Sequence, residues 1–295
     1  MPLTNTLIQA GTLAGSLLLG LRPLAAQTAA DSLLAAERAA SDASGRGKFA
    51  TAIVAALAGD GIVLWPGAPV IHGVEPVRHL LSAQRLLDSL RITWQPLHVE
   101  MAADASFGVT WGVAAAARDG APARIGRYIA AWRRENGGWK LAGFLGLGIY
   151  PLAASTVTVD MGPATLPPLP ASGPAAEFIS ADLAFARLAG DSTAALAFER
   201  FAAPQAVTMG GGILNNGPAA IRRTLEGGPP SAWSWHPVLA GAAGSGDLGF
   251  TVGESLIREE GSPASYGKYL TIWRRLPDGS VRFLTDGGSP RPATP

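Results

Sequence analysis

The feature that most limits what this chain can fold into is a duplication. "RYIAAWRR", Arg127 to Arg134, returns as "KYLTIWRR", Lys268 to Arg275. Trp94 and Trp235, Tyr128 and Tyr269, and Trp132 and Trp273 all stand 141 positions apart, and the same spacing aligns "FGVTWG" at Phe107 with "LGFTVG" at Leu248. Upstream the spacing drifts to 144, where "IHGVEPVRHLL" aligns with "NNGPAAIRRTL", the loop-length change that duplicates accumulate. A period this long copies a whole domain, since solenoid repeats run to roughly 20–50 residues. Whatever one half folds into, the other half must fold into as well.

Each copy carries the same order of patterns. "DSLLAAERAASDA" and "EFISADLAFARLA" have helical spacing, and "KFATAIVAALAGD" and "STAALAFERFA" predict a second helix stopped by Gly59 or Pro204. A short strand follows ("GIVLW" or "QAVTM"), then a Pro/Gly loop and a third helix ("VEPVRHLLSAQRLL" or "PAAIRRTLE"). Four strands close the unit, in the first copy near Ile92–Met101, Phe107–Ala116, Arg124–Arg134 and Trp139–Leu147, joined by the turn signals "RDGAP" and "NGG". Helices first and antiparallel strands after predict an α+β fold with helices on one face of a bent sheet. Between the copies, Ala153 to Pro174 is rich in Pro, Ala, Ser and Thr and reads as an extended linker.

The order of elements, "LWPGAPVIHG" before the third helix, W-x-P opening the long strands, G-x-T-x-G in the next and Y-x-x-x-W-R-R before the last hairpin resemble the SnoaL-like branch of the nuclear transport factor 2-like superfamily, and in particular its small domains found in exported bacterial proteins. The resemblance recurs once per copy. It implies two tandem cone-shaped domains, each with three helices packed on a strongly curved, mostly antiparallel sheet and a pocket at the wide end. Members of that superfamily include ketosteroid isomerases, dehydratases, polyketide cyclases and non-catalytic binding domains, so the fold leaves function open. The expected layout is residues 1–26 as a signal peptide, 27–152 as the first domain, 153–173 as linker, 174–288 as the second domain and 289–295 as a disordered tail.

Composition narrows the chemistry. With 23 Lys+Arg against 22 Asp+Glu the formal charge is +1, too small a field to gather nucleic acid or anionic lipid. Without a cysteine the chain forms no disulfide, thiolate nucleophile or Cys-ligated metal site. The four histidines, His72, His79, His98 and His236, have no metal-ligand spacing, there is no P-loop or nucleophile elbow, and no cofactor is implied. The run Leu7 to Leu21, followed by small Ala25 and Ala26, reads as a secretory signal cut near Ala26 and places the mature chain in the periplasm or outside the cell, although no basic residue precedes the run. Polar Gln9, Thr12 and Ser16 interrupt it, so it predicts no stable membrane span.

Strand alternation supplies the candidate site residues. Glu254 ends an otherwise apolar stripe (Leu248, Phe250, Val252) and Asp286 stands on the last strand, where the first copy has Val113 and Phe144. Either carboxylate, desolvated, is a candidate general base with Tyr269 as hydrogen-bond donor, as in the ketosteroid isomerases; each is equally a strand-end acid paired with a cation or turn. In the first copy Trp94, His98 and Glu100 share a predicted strand face, so that Trp94, His98, Trp111 and Tyr128, with Trp235 in the second, are candidates to line a ligand pocket. The same aromatics also serve as core. Three functions follow as expectations: binding of a small apolar or aromatic molecule without catalysis, an isomerase or lyase working in the second domain, or an assembly role in which the two domains pair within the chain or with further copies.

Overall fold

The computed structural model describes residues 24–84, 87, 89–149, 166–210 and 213–293. The first copy runs α1 (Leu24–Gly45), α2 (Phe49–Ala56), β1 (Leu57–Leu64), β2 (Ile71–His72), α3 (Val74–Ala83), β3 (Arg91–Met101), β4 (Phe107–Arg118), β5 (Ala121–Glu135) and β6 (Gly138–Leu147). The second repeats it as α4 (Pro174–Asp191), α5 (Ala194–Phe201), β7 (Ala202–Gly210), β8 (Ile213–Asn216), α6 (Pro218–Glu226), β9 (Ser231–Ala242), β10 (Leu248–Glu259), β11 (Ser265–Arg275) and β12 (Val281–Pro290). The sheet orders, β2-β1-β6-β5-β4-β3 and β8-β7-β12-β11-β10-β9, are identical under the duplication. Only the β1–β6 and β7–β12 pairs are parallel.

Curvature comes from bulges placed alike in both copies. One interrupts the β3–β4 ladder between Pro96 and His98, and its counterpart in β9–β10 follows Val252, opposite Pro237. Another lies between Ala131 and Trp132, matched between Ile272 and Trp273. A bulge adds a residue to one strand and bends it, so each sheet wraps around its helices. Gly73 and Gly217 turn the chain into α3 and α6 with φ of 93° and 83°, which glycine adopts without steric cost, and each donates its N–H to the strand behind it, at Gly61 and Ala206.

Three expectations need correction. The second helix of each copy ends at Ala56 or Phe201, so Gly59 and Pro204 lie inside β1 and β7, which start as soon as Leu57 and Ala202 reach the parallel partner strand. The Pro/Gly loop hides an edge strand, β2 or β8, too short for periodicity to reveal. The expected tail from Ser289 is partly strand: β12 continues to Pro290, and Arg291 pairs with Glu254 at 3.1 Å and donates from Nε to the carbonyl of Gly267. The expected signal peptide lies outside the described residues except for Leu24 to Ala26, with which α1 begins, and residues 153–165 of the expected linker also lie outside them. Among the described residues no helix is long and apolar enough to cross a membrane.

The outer faces of the two sheets pack on each other. Val109, Trp111, Ile129 and Leu145 form one apolar layer with Phe250, Val252, Leu270 and Ile272. Phe107 stacks on Phe250 with centroids 6.0 Å apart and planes 12° from parallel, while Gly287 lies against Ile129 and Leu147, where an added Cβ would press on both side chains at 3.1 Å. The polar edge of this layer is nearly two-fold symmetric: Asp104 accepts from the Ser245 amide at 2.8 Å, and Asp247 accepts from the Ala103 amide at 3.2 Å. Arg274 breaks the symmetry by bridging to Glu100 and the carbonyl of Met101. Lys268 also crosses between domains. Fully buried, its ammonium donates to the carbonyls of Trp65 (2.6 Å) and Ala68 (2.7 Å) in the first domain and of Pro290 (2.9 Å) in its own.

Removing a ring from the middle of this layer leaves a cavity that neither sheet can collapse around. Phe250→Ala is therefore expected to destabilise the whole chain by about 3–5 kcal/mol, measured by urea unfolding, with both domains losing structure in the same transition.

Candidate active site

The inner faces of the two sheets have diverged, and strand register shows where. In the first domain Phe144 stands opposite Ala130 on β5 and Val63 on β1; in the second, Asp286 stands opposite Thr271 on β11 and Thr208 on β7. Two residues beyond Val63 comes Trp65, and two beyond Thr208 comes Gly210. Phe49 opens α2 where Ala194 opens α5. Three large rings in the first domain are thus replaced by an aspartate, a glycine and an alanine in the second.

The consequence is one filled cone and one open one. In the first domain Phe49 packs on Trp65 and Trp94, and Trp94 on Phe144 and Tyr128, with centroid separations of 5.5–6.4 Å. All five rings are buried. The second domain holds a cavity of about 610 Å³, walled by Phe185, Phe198, Trp233 and Trp235, floored by Tyr269, Thr271, Asp286 and Thr208, and rimmed by Ser265–Lys268 and Gly288–Pro290. Its size suits a molecule of two or three rings.

Each first helix carries a buried acid that strand reasoning did not find. Asp182 on α4 is fully buried and accepts from Tyr269 Oη at 2.9 Å and Trp235 Nε1 at 3.0 Å. Glu37 on α1 is its counterpart, accepting from Thr110 at 2.8 Å and facing Tyr128 and Trp94. Thr110, Tyr128 and Trp94 are the 141-residue partners of Thr251, Tyr269 and Trp235, so the duplicated aromatics and threonine form a cage around a helix carboxylate in each copy. The signal was present in the sequence: Asp182 interrupts a buried stripe between Phe178 and Phe185, as Glu37 follows Leu33 on the buried side of α1.

The electrostatics of the open cone set it apart. Asp286 reaches the cavity and accepts a hydrogen bond from Thr271 Oγ1 at 2.6 Å, and among the described residues no cation pairs with it. Burial pushes its carboxyl up to about 7; the negative charge of Asp182 adds to the rise and the threonine bond opposes it. Burial raises Asp182 to about 6 against the hydrogen bonds from Thr251, Tyr269 and Trp235. Burial and the two neighbouring carboxylates push Tyr269 well above its ordinary value, so its hydroxyl keeps its proton. Gly253 stands where a Cβ would overlap that hydroxyl, which explains a glycine in mid-strand.

The remaining candidates fall elsewhere. Glu254 lies on the opposite face of β10 from the cavity-lining Ser255, engaged by Arg291, and serves to hold the chain's last turn. Trp94 and Tyr128 are core of the filled cone. The bulge at Pro96 separates Trp94 from His98 and Glu100, so the three do not share a face: His98 is exposed and stacks on Trp111 at 4.5 Å, while Trp111 is buried against the second sheet. Asp286, Tyr269 and Trp235 together line the cavity; Glu254, Trp94, His98, Trp111 and Tyr128 do not line it. Among the described residues no three His, Asp or Glu side chains converge as metal ligands.

No family model matches the chain, and no curated protein matches it by sequence. Solved structures do. The chain is similar to NTF2-like and ketosteroid isomerase-like proteins of cystatin-like fold. One is an NTF2-like protein from Novosphingobium aromaticivorans, 19% identical over 39% of this chain and 80% of its own, with a TM-score of 0.33. A ketosteroid isomerase-like protein from Erwinia carotovora atroseptica is 16% identical over 39% and 93% (TM-score 0.32), and a cystatin-like fold protein from Burkholderia xenovorans 21% over 41% and 92% (TM-score 0.32).

A carboxyl raised in the folded state favours folding in its protonated form. Its contribution is complete below the unfolded value near 4 and is lost as pH rises through about 7 for Asp286. Asp286→Asn is therefore expected to match the parent chain in stability at about pH 3.5 and to exceed it at pH 8 by on the order of 2–4 kcal/mol, in paired denaturation curves.

Proposed function

We propose that the second domain binds a small, largely apolar molecule and moves a proton on it, as an isomerase or lyase of general acid–base type, and that the first domain is its structural partner. The observation that carries this reading is Asp286: a carboxyl in an aromatic-walled cavity, with no ion-pair partner among the described residues and a pKa that burial raises to about 7. A general base works best when its pKa lies near the operating pH, and burial among apolar groups is the usual way to bring an aspartate there.

Tyr269 and Asp182 complete the arrangement. The tyrosine hydroxyl donates to Asp182 at rest. When Asp182 takes up a proton, its O–H can donate to the tyrosine oxygen instead, and the phenolic proton turns toward a bound carbonyl. Negative charge developing on that oxygen, as Asp286 removes a proton from the adjacent carbon, meets a donor already in place. Thr271 steadies Asp286 through the 2.6 Å bond. Binding without chemistry is the competing reading, favoured by the four aromatic walls alone.

Export is part of the same proposal. The apolar run from Leu7 and the small residues at Ala25 and Ala26 support it.

The reaction is tested by exchange. In D2O at pH 7.5 the purified chain is expected to catalyse deuterium uptake at the carbon next to the carbonyl of two- and three-ring ketones, followed by proton NMR, with Asp286→Asn slower by about 10²–10⁴-fold. Ketones that bind, seen by quenching of Trp233 and Trp235 fluorescence, yet exchange no faster than in buffer would leave the binding reading in its place.

A further inference from the structure

Which molecules the second cone admits is a separate question from whether it transforms them, and the charges around the cavity bear on it. The lining contains no arginine or histidine among the described residues, and its one lysine, Lys268, has all three N–H groups committed to the carbonyls of Trp65, Ala68 and Pro290. Glu254 and Arg291 pair on the far side of β10. What faces the interior is Asp286, with Asp182 one residue behind it through Tyr269. The floor therefore carries the acids, and among the described residues no cation forms an ion pair with Asp286.

The walls are suited to the same sign. Trp233, Trp235, Phe185 and Phe198 present ring surfaces, and the face of an aromatic ring attracts cations. An anionic ligand would bring a second negative charge next to Asp286; a neutral one would gain from burial and a hydrogen bond, without attraction between opposite charges. The geometry points to the cavity of the second domain as a site for an amine carried on an aromatic or alicyclic body, its ammonium at Asp286 and its rings against Trp233 and Trp235. The first domain supplies an internal control, because Phe144 occupies the matching position and its cone is filled. One molecule per chain is expected to bind. This inference goes beyond the proton transfer proposed above and holds whether or not a reaction follows.

The test uses three compounds of one shape, naphthylmethylamine, naphthylmethanol and naphthylacetate, titrated calorimetrically into the full chain. At pH 8 the amine is expected to bind at least about tenfold tighter than the alcohol, with the acetate weakest. At pH 5.5 Asp286 holds a proton, and the margin of amine over alcohol is expected to shrink to about twofold or less; Asp286→Asn should shrink it in the same way at pH 8. Lys268, whose pKa burial lowers to about 7, gains charge over the same interval, so a second variant, Asp286→Ser at pH 8, decides the matter if Asp286→Asn fails to fold. The inference is overturned if the alcohol equals the amine at pH 8, if the amine's margin survives both acidification and Asp286→Asn, or if none of the three binds at millimolar concentration. Because no amine enters the ketone exchange experiment, either result can fail without the other.

Discussion

Everything in this chain depends on two sheets turning their outer faces toward each other. A bent sheet with apolar residues on both faces cannot leave one of them in water, and here the layer from Val109 and Trp111 to Phe250 and Ile272 closes that face for both copies at once. Joining the copies in one chain removes the concentration dependence that a pair of separate subunits would carry. It also removes the requirement that the partners be identical. The paired face must still match across the layer, and it does, down to the reciprocal bonds of Asp104 and Asp247. The inner faces are under no such rule.

That freedom explains the asymmetry of the cones. In the first, Phe49, Trp65 and Phe144 close the space above the shared Trp–Tyr–Thr cage, and the interior is packed as a core. In the second, the positions of those rings hold Ala194, Gly210 and Asp286, and a cavity of about 610 Å³ results. A charge-bearing group in such a space costs stability, because a carboxylate withdrawn from water without a cation is disfavoured. The second domain carries two such acids, Asp182 and Asp286, where the filled first domain carries one, Glu37.

Much of this was legible before any coordinates. The 141-residue spacing of Trp94, Tyr128 and Trp132 with their partners identified the strands that carry them and predicted two like domains. The resemblance also drew attention to Asp286, with Phe144 as its counterpart, and its side chain lines the cavity. Strand alternation failed where the ladder is irregular or where the face had to be guessed. The bulge at Pro96 broke the apparent grouping of Trp94 with His98 and Glu100, and the stripe of Leu248, Phe250 and Val252 that Glu254 ends is the buried side of a sheet pair. An apolar stripe states that a face is covered, not what covers it. Asp182 and Glu37 were missed for a different reason: they sit on helices, and the search for acids followed the strands. The edge strands β2 and β8 span too few residues to leave a periodic trace.

Lys268 deserves a last consequence. Its ammonium is held by the backbone of Trp65 and Ala68, the turn whose tryptophan also plugs the first cone, and by Pro290 at the rim of the second. A proteolytic fragment carrying only the second half would strand that lysine in an apolar surface and forfeit the carbonyls that hold it. The halves are thus bound into a single inheritance: the plugged domain can lose every trace of its own ligand chemistry, but it cannot be deleted, because its sibling's doorway hangs from its backbone.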